Sequence, residues 1–213
     1  VNYGQLKTRV LADGHRADLT AEVAGFIAST EARIARELRA REMIRRYTLA
    51  EVDRESEGIY NLPAGFLEER GFYIVGRKLA LDKVGLGELI TYATSGPVHC
   101  YATIGGEDSG GQVEFRAVPA TDQEIPLVYF ARPTAFSADA DESVLLTNHE
   151  DIYIQGGLFY LHKHAENVEL AQGALDLFGD AIAMLNEQAS RYLGGTRFGN
   201  AYNLGNVTVS RGY

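Results

Sequence analysis

The apolar residues of this chain change period twice, and each change marks a change of architecture. Through about residue 45 they recur every three to four positions, as one face of an α-helix requires. Leu6, Val10 and Leu11 share one face of a short helix, which Asp13-Gly14-His15 breaks. A longer helix is predicted from about Thr20, with Val23, Phe26, Ile27, Ile34 and Leu38 inward. Its other faces carry Glu31, Arg33, Arg36, Glu37, Arg39, Arg41 and Glu42. Glu and Arg about one turn apart can pair there, so the face is either solvated or set against another subunit.

From about Arg46 to Ala140, short runs rich in Tyr, Val, Ile and Phe alternate with Gly, Pro and acidic breaks. Strands are expected at Ile59 to Leu62, Glu68 to Val75, His99 to Ile104, Gln112 to Val118 and Pro126 to Arg132, with a short helix at Gly87 to Thr94. The even spacing of turns predicts a small antiparallel sandwich or barrel. The helical period returns from Thr147 to Leu193, as one helix to about Ala165 and a second from about Asn167. The second places Ala171, Ala174, Leu175, Phe178, Ala181, Ile182, Leu185, Ala189 and Tyr192 on one side, and Gly194-Gly195 ends it. Beyond it, Phe198, Tyr202, Leu204, Val207, Val209 and Tyr213 are spread among Gly and Asn. That composition suits an arm folding onto a partner or a frayed tail. The expected fold is α+β: a helical bundle from the N- and C-terminal segments (1–46 and 146–195), an inserted small antiparallel β domain (47–145) and an extended C-terminal arm (196–213).

Charge and cysteine content narrow the function classes. A net charge of -9 argues against general binding to DNA phosphates. The single cysteine, Cys100, excludes an internal disulfide and a cysteine-based zinc cluster. No stretch approaches the roughly 18–20 continuous apolar residues of a membrane span, and no membrane partner is expected. The first residues lack the basic-then-apolar order of a signal peptide.

Two stretches imitate chemistry. HEDIYIQGGLFYLHKH, His149 to His164, carries three histidines. On a helix His162 and His164 point about 200° apart, and His149 lies roughly 20 Å along the axis, so they cannot grip one ion together. The second histidine of H-E-x-x-H is replaced by Tyr153. A capping box from Thr147 to Glu150 is the plainer reading, with Asp151 in the first turn and His162, Lys163 and His164 in the last complementing the helix dipole. The second stretch pairs Val98-His99-Cys100 with Glu107-Asp108-Ser109-Gly110-Gly111. Its spacing is wrong for a serine-protease triad, and a loop between strands fits better. No catalytic residue, metal ligand or cofactor is expected.

EARIARELRAREM (Glu31 to Met43), IYNLPAGFLEERGFYIVG (Ile59 to Gly76), the run from Tyr129 to Asn167 and the long helix after it occur in an order that resembles the head-to-tail adaptor (connector) proteins of tailed bacteriophages. The type is that of short-tailed phages and gene-transfer-agent-like particles, and the likeness covers most of residues 3 to 193. Similar proteins commonly read Pro-Asp-Leu-Tyr after LLTN, where this chain has His149-Glu150-Asp151-Ile152-Tyr153. The resemblance implies a structural virion protein of the neck, assembled in the host cytoplasm. It implies a ring, usually of twelve copies, bound to portal and to tail or nozzle protein, with double-stranded DNA passing through unbound. The C-terminal arm residues named above are the expected partner contacts. Arg33, Arg36, Glu37 and Arg39 are the expected subunit or portal interface. Another tail or neck ring component of similar fold, or a metal-dependent hydrolase built on His149, His162 and His164, are the alternatives.

Overall fold

The computed structural model describes residues 1–74, 80–105, 111–120 and 123–194. Its elements are α1 (Tyr3–Asp13), α2 (Val23–Glu37), β1 (Ile44–Leu49), β2 (Arg54–Ser56), β3 (Ile59–Asn61), β4 (Phe66–Phe72) and β5 (Asp82–Lys83). There follow α3 (Leu86–Leu89), β6 (Cys100–Ile104), β7 (Gln112–Arg116), β8 (Ile125–Ala131), α4 (Val144–Asn148), α5 (Glu150–His164) and α6 (Val168–Gly194). The class is α+β, as the change of period predicts.

The helical part is built around α5, on which α1, α2, α4 and α6 all pack. That central place explains why α5 buries residues all round, namely Ile152, Tyr153, Ile154, Gly156, Gly157 and Leu161. Close approach depends on the glycine pair. A Cβ on Gly156 would collide with the Thr30 side chain of α2, and one on Gly157 would come within 2.9 Å of Val10 of α1. Val23, Phe26, Ile27, Ile34 and Leu38 are all buried, as their spacing predicts. So are Ala171, Ala174, Phe178, Ile182 and Ala189 of α6, while Leu175, Ala181 and Leu185 are half-buried. The described side chains of α6 stop at Arg191, short of Tyr192.

The β part consists of a three-stranded sheet, β1-β8-β4, and a five-stranded sheet, β2-β3-β7-β6-β5. Leu49, Phe72, Ile125, Leu127 and Tyr129 of the first share one core with Tyr60, Tyr101, Val113 and Phe115 of the second. The arrangement is a sandwich with an aromatic interior. Phe72 meets Tyr101 edge-on at 4.5 Å and Phe115 at 5.5 Å between ring centroids.

Several sequence expectations need correction. The charged helix expected to run on to Arg46 ends at Glu37, and Ile44–Leu49 is a strand paired along its whole length with Leu127, Tyr129 and their neighbours in β8. Arg and Glu favour helix locally, but six ladder positions and burial of Leu49 outweigh that preference. The helix end is satisfied from two sides. Arg39 Nη1 donates to the carbonyls of Ala35 and Leu38 at 3.1 and 2.8 Å. Asn186 of α6 accepts from Arg39 N at 2.7 Å and donates to Glu37 O at 2.9 Å.

The capping box at Thr147 does not form. Thr147 is already inside α4, whose cap is Ser143, accepting from Leu146 N at 3.0 Å. His149 starts α5 without a side-chain cap, and Glu150 instead pairs with Arg9 of α1 at 2.9 Å. The expected strand Glu68 to Val75 is displaced to Phe66–Phe72, with Val75 outside the described residues, and the helix at Gly87 to Thr94 shrinks to Leu86–Leu89. The β5–β6 pair is parallel, so the second sheet is mixed.

Candidate interaction surface

The outer helix of the bundle has two apolar faces. One is the buried face described above. The other consists of Leu170, Leu177 and Met184, which lie seven residues apart and expose 52%, 56% and 61% of their surface. A seven-residue repeat keeps side chains on one line of a helix, about 21 Å long here at 1.5 Å per residue. Gly173 lies on the same line with nothing within 4 Å of where a Cβ would stand. Glu169, Asp176, Asp180 and Glu187 flank it, against a single cation, Arg191, which is paired with Glu187. The inward positions of this helix do not include the stripe, whose repeat of seven runs roughly 100° round the helix from the buried side.

The four interface residues expected on and after α2 have different surroundings. Arg33 pairs with Glu37 at 2.8 Å and lies over the rings of Phe178 and Phe159, 5.1 and 5.8 Å from their centroids. Arg39 pairs with Glu68 at 2.8 Å besides closing the helix end. Arg36 is exposed and has no ion pair among the described residues. Around it the face of α2 turned from the core is small: Ala24, Gly25, Ala28 and Ala32 are all exposed. The expected arm contacts, Phe198, Tyr202, Leu204, Val207, Val209 and Tyr213, lie outside the described residues, as does Ser109.

The three histidines of the His149 to His164 stretch are put to separate uses. His149 Nε2 stands 3.7 Å from a Glu42 oxygen. The His164 ring packs on Phe26 at 5.5 Å. His162 is half-buried, and burial together with Arg16 lowers its pKa. Among the described residues no three His, Cys, Asp or Glu side chains converge as metal ligands. Tyr153 is fully buried, its phenol pushed up by burial first and by the Glu31 charge second. Glu31 is pushed up to about 6 by burial, against a weak contact in which Phe136 N donates to it at 3.3 Å. Tyr160 lies half-buried at the edge of the same core. No described helix is long and apolar enough to cross a membrane.

Among the described residues, then, the bundle carries an uncovered apolar stripe beside a sandwich with its own core. Residues 1–199 match the SU10 adaptor protein family, and the chain belongs to this family of phage head-to-tail adaptors. It is not a family of enzymes; membership makes the chain a bacteriophage structural protein that associates with other head or tail proteins of the virion. No curated protein matches it.

Proposed function

We propose that the protein is the ring-forming adaptor that joins portal to tail and extends the DNA channel. The family match over residues 1–199 carries this reading. The exposed stripe on α6 supports it, because a ring repeats one heterologous contact until it closes and needs such uncovered faces. Twelve copies are the expected number. Residues 196–213 form the arm that reaches a partner, with Phe198, Tyr202, Leu204, Val207, Val209 and Tyr213 as its contacts. Arg36 is the best placed of the expected interface side chains, since it is exposed and uncommitted within the described chain. The net charge of -9 suits a wall past which DNA moves without sticking; mainly basic channel-facing residues would contradict that part.

The test is electron microscopy of the purified protein with portal and, separately, with tail protein. Closed rings seated on portal are expected. Attachment to tail but never to portal would reassign the chain to another ring of the neck or tail. Truncation after Gly195 is expected to leave a folded protein that no longer attaches to portal, and normal attachment would remove the arm from the account.

A further inference from the structure

We infer that the seam of the ring is formed by the outward face of α6 in one copy against the outward face of α2 in the next. The inference rests on the ring reading above and names its contact. Three observations favour a second copy of this chain as the occupant of the stripe. The first is size. Leu170, Leu177 and Met184 project from α6, while Ala24, Gly25, Ala28 and Ala32 leave the outward face of α2 nearly smooth. Large side chains on one helix need small ones opposite if the axes are to approach closely. The lengths agree too: the α6 stripe spans about 21 Å and Ala24 to Arg36 about 18 Å.

The second observation is charge. The stripe is flanked by Glu169, Asp176, Asp180 and Glu187 with only Arg191 in return. On the outward face of α2 the charged side chain in line with Ala28 and Ala32 is Arg36, in a chain whose net charge is -9. Arg36 is exposed and has no ion pair among the described residues, nor have Glu169 and Asp180. Two α6 helices face to face would set acid against acid, so a symmetric dimer through the stripe is disfavoured. The third observation is placement. Both α2 and α6 pack on α5, and each turns its other face outward, so one copy offers two different, matching surfaces. That is the requirement for a head-to-tail contact that closes into a ring.

Cross-linking tests the pairing directly. Ala28→Cys and Leu177→Cys proteins, each full length and carrying the buried Cys100, are mixed and treated with a short bismaleimide. The expected product joins one of each, at least tenfold above either self-product. Self-products alone, or no product while assemblies still form, would overturn the seam. In parallel, the double substitution Leu177→Glu and Met184→Glu should lower the assembled fraction at least tenfold at an unchanged melting temperature, whereas Val52→Glu, at a still more exposed apolar residue elsewhere, should assemble normally. Assembly of the double variant like the unmodified protein, or equal loss in Val52→Glu, would also overturn it. If the unmodified protein stays monomeric alone and with portal, the ring reading falls; if it assembles and the double variant does too, only the seam falls.

Discussion

The sandwich and the bundle place their large apolar side chains differently. The two sheets turn theirs inward, where Tyr60, Phe72, Tyr101 and Phe115 interlock edge to face. None of the exposed large apolar residues described lies on a strand. The bundle also has large residues inside, such as Phe26, Tyr153 and Phe178, but it closes around small ones: Gly156, Gly157, Ala171 and Ala174. Its outer helix still carries Leu170, Leu177 and Met184 on the water side. The strands keep their large apolar side chains inside, and only the connections of the β part expose any, at Val52, Leu86, Ile90 and Tyr92, whereas the bundle lines three of them up along one helix. Stability and assembly should therefore separate by region.

Substitutions sharpen that contrast, and the sandwich should suffer the largest loss. Phe72→Ala removes a fully buried ring at the meeting of both sheets and should cost about 3–5 kcal/mol in denaturant unfolding. Gly156→Ala should cost about 2 kcal/mol despite alanine's better helix propensity, because the new methyl collides with Thr30 and forces α2 off α5. Asn186→Ala should cost about 1–2 kcal/mol, since the Arg39 N–H and the Glu37 carbonyl both lose their partner at a half-buried helix end.

Glu31→Gln should act in the opposite sense and depend on pH. The folded chain holds the Glu31 proton more tightly than the unfolded chain, its carboxyl being raised from 4.5 to about 6. Stability therefore falls as pH rises through that window, and the whole cost is present above it. The glutamine variant should be more stable than the parent by about 1 kcal/mol at pH 8, after allowing for partial exposure, and gain nothing at pH 4. Parallel stability curves for the two proteins across pH 4 to 8 would contradict the burial argument. The smallest effect on stability is expected from Leu177→Glu, close to zero by calorimetry, because the side chain is already in water.

Much of this division was legible in the residues. The inward positions of α2 and α6 followed from helical spacing, and the hairpin β6–β7 followed from alternation around a glycine-rich loop. What local pattern could not show were the long-range pairings. Ile44–Leu49 looks helical until β8 offers it a ladder, and Thr147 looks like a cap until Ser143 starts a helix four residues earlier. Glu150 found Arg9, and the Arg39 N–H found Asn186, across more than a hundred residues of chain. The stripe on α6 was different: its repeat was visible, but search for a core directs attention to the buried side of an amphipathic helix. The family resemblance was legible because it rested on the order of several segments rather than on one motif.

The central claim is that the outward face of α6 is an assembly face. Native mass spectrometry of the full-length protein, alone and with purified portal, tests it most directly when run beside the Leu177→Glu, Met184→Glu double variant. The account predicts one closed multiplicity for the parent, expected to be twelve, and monomer for the folded variant. The same closed ring from both proteins would contradict it.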